Sequence, residues 1–445
     1  MEPRTRAQRR RWGDVLGAGI AGALVAAAFA VPFLADEEWR STLYAGAAPI
    51  FGTWTTHSGW GTVPAIAIAA LVCWFGPWLA QRLSWLRLLG VTWLAAMAWA
   101  FALAMVDGWE RGFTGRLTDP AEYLTVVPEV DDISTMLSTF SDRIVDFQPN
   151  SWPTHVSGHP PGALLAFVAL DRIGLGGPTW AAVFTTVAGT SAALAVLIAL
   201  RALAGPAPAR AAAPFVALAP TAVWIAVSAD AIFTAVTAWA IALLACAVRR
   251  RGGAGIGLGF AAGVGFGFGI YLNYGLVLMG IPAVAVLAAG RTIRPLVPAL
   301  AGALLVALAF TTAGFWWFDG YHLVIERYYQ GIAKERPFEY WGWANLAATV
   351  CATGLSVPAS LHRSLSLRRL RQRYGPSLLV AAALLAVLVA DLSALSKAET
   401  ERIWLPFTTW LLVSAAFLPA RNQRGWLAVQ ALGALVLVHV VLTRW

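Results

Sequence analysis

Charge is scarce in this sequence. Asp, Glu, Lys and Arg together make up 12% of 445 residues, and lysine occurs only at Lys334 and Lys397. A soluble domain carries about 25% charged residues, so an ordinary water-exposed surface is excluded. Cysteine is equally sparse: Cys73, Cys246 and Cys351 all fall inside apolar runs, which excludes a disulfide framework and a thiolate metal site. Ionisable residues are nearly missing from the apolar runs themselves, with His439 the one that falls well inside a span. Charges at membrane depth mark ion and proton paths, so this scarcity argues against a pump or an ion-coupled carrier. No inverted repeat and no matched pair of interrupted helices is visible either. The glycines of GIGLGFAAGVGFGFG have no preceding strand and lie in an apolar run, so they read as a close-packing helix face rather than a nucleotide loop.

What is present is apolar sequence. Hydrophobic residues make up 59% of the chain, and long apolar runs recur to its C-terminal end. The class is an all-α, polytopic integral membrane protein, one membrane domain over residues 1–445. Thirteen transmembrane helices are expected near 13–34, 62–80, 88–106, 178–203, 211–228, 229–248, 255–271, 274–290, 296–315, 344–362, 376–394, 403–419 and 425–443. Each is close to the length that crosses a ~30 Å hydrocarbon core. The basic start MEPRTRAQRRRW with the run after it is long enough to span and reads as the first helix rather than a cleaved signal. Residues 162–175, GALLAFVALDRIGL, hold too few apolar residues before Asp171 and Arg172 to cross, and read as a short re-entrant or juxtamembrane helix.

Charge asymmetry tests that choice. With the N-terminus inside, the inner segments collect 21 of the 32 Lys and Arg and two of the 23 acids. Making 162–175 a full span would put the arginine-rich loops outside, against the positive-inside rule. The net charge of +9 is therefore a topology signal, with inner arginines facing membrane lipids, and not a nucleic-acid surface. The expected location is the plasma membrane, multi-pass, N-terminus cytoplasmic, with the working face extracytoplasmic.

Three polar segments meet on that outer face: the long loop 107–161, a second loop 316–343 rich in aromatics, and the short loop 391–404. From Asp107 to Gly162 there are nine carboxylates, three arginines and two histidines, the ionisable density of a reaction site. Acids outside a membrane, aromatics at the interface and a few isolated cations suit transfer of a sugar from a lipid-linked donor. Negative charge builds on the donor phosphate as its glycosidic bond breaks, so Arg or Lys belongs there. The acceptor hydroxyl needs a carboxylate to take its proton.

The order TDPAEYL, then HPPG opening a short apolar helix, then WIAVSADAIF with Asp230 at the outer start of a helix resembles the GT-C glycosyltransferases. Within that superfamily it is most similar to the protein O-mannosyltransferases and the lipid A aminoarabinose transferases. The resemblance covers roughly residues 88–290; ERPFEYWGWANLA and ETERIWLPF resemble uncharacterised actinobacterial membrane proteins of the same type. It implies a GT-C fold, a polyprenyl-phosphate sugar donor and a catalytic carboxylate in the first large outer loop. Two features depart from the pattern: helices 13–34 and 62–80 precede that loop, and no adjacent Asp-Glu pair occurs in it.

The reading is thus a glycosyltransferase moving mannose, arabinose or a similar sugar to an extracytoplasmic glycan, lipid or protein acceptor, with inversion. A lipid-linked saccharide flippase without catalysis is the alternative. Asp119, Glu122 and Asp107 are the candidate bases, with Thr118-Asp119-Pro120 also reading as a helix cap. Arg402 is the first candidate for the donor phosphate, with Arg336 and Lys334 beside it. His159, His155, Tyr123 and Glu401 are candidates for contacts with phosphate and sugar. His155 and His159 stand four apart, but the Pro and Gly around them forbid the regular helix a shared metal would need, so no cofactor or metal is expected.

Overall fold

The computed structural model describes residues 6–444, with side chains from Arg11 onward; residues 1–5 of the basic N-terminal tail lie outside the described residues. Among the described residues, seven helices are long and apolar enough to cross a membrane: Arg11–Leu34, Thr62–Arg82, Trp85–Ala104, Pro178–Ala204, Ala229–Ala247, Gly252–Leu272 and Gly375–Leu392. Two sharply bent pairs raise the number to nine if each is one span.

The thirteen expected spans are not matched one for one, and the reason is local. Stretch 211–228 is split into Pro206–Ala217 and Ala222–Ile225 around Pro220. Stretch 344–362 turns by 99° between Phe338–Thr353 and Ser356–Ser364, where Gly354 takes φ +79°. Stretch 403–419 becomes a short helix, Leu405–Leu411, followed by a 3-10 turn. Hydropathy sums over a window do not register such breaks, whereas proline and left-handed glycine impose them. The 316–343 segment, expected as a loop, contains the helix Trp317–Gln330, bent 75° away from Leu296–Thr312. Residues Gly162–Arg172 form a helix of 11 residues, too short to cross.

The helix Ala229–Ala247 is the centre of the bundle, packed between Pro178–Ala204 and Gly252–Leu272. The glycine-rich run makes its close approach to Leu296–Thr312: a Cβ at Gly263 would fall 1.8 Å from the Ala299 carbonyl oxygen, and one at Gly302 2.2 Å from that of Phe260. The fold is not purely helical. Strand β1 (Gly52–Trp54) pairs antiparallel with β2 (Val441–Thr443), Gly52 opposite Thr443 and Trp54 opposite Val441. The last predicted helix accordingly ends at Val440, where a run of β-branched residues takes the extended form.

Candidate functional site

Between Thr118 and Thr125 the chain makes a tight turn that points two acids in opposite directions. Asp119 Oδ1 accepts the Ala121 N–H at 2.9 Å, and the Asp119 carbonyl accepts the Glu122 N–H at 2.8 Å. Asp119 therefore faces outward, 28% exposed, with Arg444 at 3.7 Å, while the Glu122 side chain is 2% exposed. The Ala121 carbonyl in turn accepts the His155 N–H at 2.9 Å. That bond ties the TDPAEYL turn to the segment before HPPG and brings His155 Nδ1 to 2.7 Å from Glu122 Oε1.

Arg402 closes the arrangement. It stands on the one-turn helix Thr400–Ile403, with Nη1 3.6 Å from Glu122 Oε1, Nε 3.4 Å from Asp230 Oδ2 and Nη2 3.3 Å from Glu399 Oε2. Its Nη2 also lies 3.5 Å from His155 Nε2. Since an ionised carboxylate only accepts, His155 Nδ1–H is the donor to Glu122. Arg336 joins through Glu399 at 3.4 Å and donates to the Lys397 carbonyl at 2.8 Å. Glu399 holds its place at φ +61°, in the left-handed region. Buried Asn345 ties the adjoining loop down, donating to Asp391 Oδ1 and to the Ser396 carbonyl at 2.9 Å each. Strain of this kind persists only where surrounding contacts enforce it.

Burial pushes the Glu122 carboxyl upward, but the His155 charge and hydrogen bond, with Arg402 behind them, outweigh it and hold the group below the usual carboxylate range. Burial likewise lowers His159 to about 4, so this imidazole is neutral at physiological pH. Its Nδ1 lies 2.7 Å from the His155 carbonyl and 2.6 Å from Tyr123 Oη, while the Tyr123 ring stacks on Phe167. Asp230, in the first turn of the central helix, is 1% exposed and neither of its oxygens makes a hydrogen bond. A carboxylate there gains from the helix N-terminus and from Arg402.

Of the residues singled out in the sequence, the structure brings together Glu122, His155, Arg402 and Arg336, with Tyr123 and His159 in the next layer. Glu401 backs onto this group, its Oε1 accepting the Phe51 N–H at 2.8 Å. Asp119 and the exposed Lys334 lie away from it. So does Asp107, whose two oxygens meet His57 Nε2 at 2.7 Å and Arg116 at 2.8 Å. Two members of the cluster were not among the named site residues, Asp230 and Glu399. Asp230 carried a signal, a lone acid in an apolar helix; Glu399 carried none beyond its nearness to Arg402.

Two outcomes follow. Asp119→Asn leaves any activity within about twofold, as for a surface substitution. Asp107→Asn strands buried Arg116 and destabilises the protein by ~3–5 kcal/mol, with turnover per folded molecule retained. Thermal melting and specific activity separate the two effects. For Glu401, burial and the neighbouring Glu399 charge raise the carboxyl from 4.5 to about 7. Its folded value lies above its unfolded one, so its contribution to stability is full below 4.5 and is lost as pH rises through 7. Glu401→Gln stays neutral, so its stability relative to wild type improves by something on the order of 3 kcal/mol between acid and pH 8, read from melts across that range.

The cluster is closed to solvent: Glu122 and Arg402 side chains are 2% and 4% exposed, and none of its residues lines the surface cavities of about 300 and 450 Å³. Among the described residues, no three His, Cys, Asp or Glu side chains converge as metal ligands would.

The helical arrangement has counterparts among solved structures. In particular, the chain is similar to the Archaeoglobus fulgidus oligosaccharyltransferase in its complex with zinc and sulfate, at a TM-score of 0.52 and 14% identity, over 80% of this chain and 53% of that one. The apo form of the same enzyme gives 0.51 at 14% identity, over 75% of this chain and 50% of that one. The chain thus spans about half the length of those structures, and the likeness is one of fold. No protein-family model and no curated protein matches the sequence.

Proposed function

We propose that this chain is a glycosyltransferase that moves a sugar, mannose, arabinose or one like them, from a polyprenyl-phosphate carrier to an acceptor hydroxyl on the extracytoplasmic side of the plasma membrane. The observation that carries the reading is the buried carboxylate of Glu122 standing 3.6 Å from the guanidinium of Arg402, on the face of the long polar loop. The fold shared with an oligosaccharyltransferase supports it.

In the proposed step the acceptor oxygen attacks the anomeric carbon from the side opposite the phosphate, and its proton passes to Glu122. The bond from the anomeric carbon to the phosphate oxygen breaks, its electron pair stays on the phosphate, and the sugar is inverted. Arg402, with Arg336, takes up that growing charge. A carboxylate held below its usual range is a poor base, and the geometry offers a remedy. As Arg402 turns from Glu122 toward the phosphate, one of the charges that depress Glu122 moves away and its basicity rises. His155 keeps the carboxylate oriented meanwhile.

The test is incubation of the reconstituted protein with radiolabelled polyprenyl-phosphate mannose or arabinose and membrane acceptors. Label is expected in a product of inverted anomeric configuration. Absence of transfer from every such donor, with the protein folded, overturns the proposal.

A further inference from the structure

The helices Thr62–Arg82, Trp85–Ala104 and Pro206–Ala217 enclose a groove of about 300 Å³, toward the end of the bundle away from Asp107. Every lining side chain but Thr92 is apolar. Exposed Leu71, Phe75 and Val91 form its rim, and buried Ala80, Leu88 and Ala213 lie beneath them. Thr62–Arg82 touches Pro206–Ala217 at Gly76, where a Cβ would fall 3.1 Å from Pro214 Cβ. From Leu71 to Leu83 the groove follows about 18 Å of helix, little more than one leaflet of a ~30 Å hydrocarbon core. A partner helix needs the whole depth of the core, whereas a fatty acyl chain needs one leaflet. The end of the groove is cationic. Residues 60–106 and 175–229 hold four arginines, Arg82, Arg87, Arg201 and Arg210, and no acid. Arg82 lies 4.9 Å over the Trp78 ring and Arg201 4.3 Å over that of Trp85. Arg210 is pinned at the mouth: Nη1 donates to the Ala80 carbonyl at 2.5 Å and Nη2 to that of Leu83 at 3.0 Å. Those bonds use two of the five guanidinium N–H groups and hold the plane in place for an anion.

We propose that this groove is a lipid site, holding one acyl chain of an anionic phospholipid from the leaflet opposite the Glu122–Arg402 cluster, with the phosphate at Arg82, Arg87 and Arg210. Its charge decides the class of lipid. A net negative headgroup gains from each arginine near the surface, while a zwitterionic one brings a second cation to a place with no acid to receive it. The polyprenyl-phosphate donor fits poorly, because in the reaction proposed above its phosphate sits at the cluster on the other face. The site belongs to Thr62–Arg82, one of the two helices that precede the long polar loop, and it does not depend on the transferase reading.

The experiment places the full chain in nanodiscs with phosphatidylglycerol or phosphatidylcholine carrying a diazirine in one acyl chain, or with diazirine-labelled polyprenyl phosphate, and maps the crosslinked peptides. Phosphatidylglycerol is expected to label residues 71–95 and 213–217 about tenfold more than phosphatidylcholine does. Arg82→Gln combined with Arg87→Gln removes that preference; both side chains are exposed, so the fold is kept. Ala95→Phe, which fills the groove, abolishes the labelling, and Leu94→Phe, exposed and outside the groove, leaves it unchanged. Phosphatidylglycerol also raises the melting temperature of wild type by about 3 °C and that of the double arginine variant by less than about 1 °C. Equal labelling by the two phospholipids, a preference that survives the arginine substitutions, or stronger capture of polyprenyl phosphate than of phosphatidylglycerol overturns the proposal.

Discussion

Glu122→Gln lowers sugar transfer by at least about 100-fold and leaves the melting temperature close to wild type. The fold survives because the amide oxygen of Gln still accepts the His155 Nδ1–H now made to Glu122 Oε1 at 2.7 Å, and Arg402 keeps Asp230 and Glu399 as charge partners. Chemistry does not survive, since an amide has no basicity to take the acceptor proton. General-base removal accounts for ~10²–10⁴ in rate, so the loss is large enough to separate base from bystander. The pH profile adds a second check. Glu122 sits below the usual carboxylate range in the free protein, so the acid limb of kcat/KM for wild type falls below pH 4.5. Purified Glu122→Gln with transfer within about threefold of wild type would remove Glu122 from the role of base.

The sequence made some of this visible and concealed the rest for definable reasons. Legible were the polar segment, the HPPG entry to a short helix and the standing of Arg402 at the mouth of an apolar run, because each is a break in composition. The choice between Asp119 and Glu122 was not, because it depends on which way a single turn throws two side chains three positions apart. The Ala121 backbone sets those directions: its N–H is taken by Asp119 and its carbonyl by His155. Asp107 is set apart from both by His57, fifty residues earlier in the chain, which meets one of its oxygens. Partners so distant in sequence leave no periodic trace. The helix count failed in a similar way. Pro220 and Gly354 are single residues inside apolar windows, yet each ends a helix that hydropathy alone would carry across the membrane.

Arg402→Met is the substitution with the largest combined effect, and it tests whether the cluster is held together by charge. Removing the guanidinium leaves Glu122 and Asp230, 2% and 1% exposed, beside an apolar side chain. Breaking a buried pair by deleting one partner costs ~3–5 kcal/mol, so the variant melts well below wild type, and with the phosphate's counter-charge gone it shows no measurable transfer. The sign of the pH dependence follows from the partners. Glu122 and Glu399 have folded values below their unfolded ones, so the stability they contribute is present above the unfolded value and lost as pH falls. Without Arg402 that contribution shrinks, and protonation relieves the stranded acids; the gap in melting temperature between variant and wild type therefore narrows from pH 7 toward pH 4. Arg402→Lys keeps a charge but loses the fork that reaches Glu122, Asp230 and Glu399 together, so it recovers stability more fully than transfer. The double variant Arg402→Met with Asp230→Asn separates structure from chemistry: removing the stranded acid restores part of the stability, while transfer stays absent. Transfer regained by that double variant would show that Arg402 serves only to neutralise Asp230, and the phosphate would then need another cation.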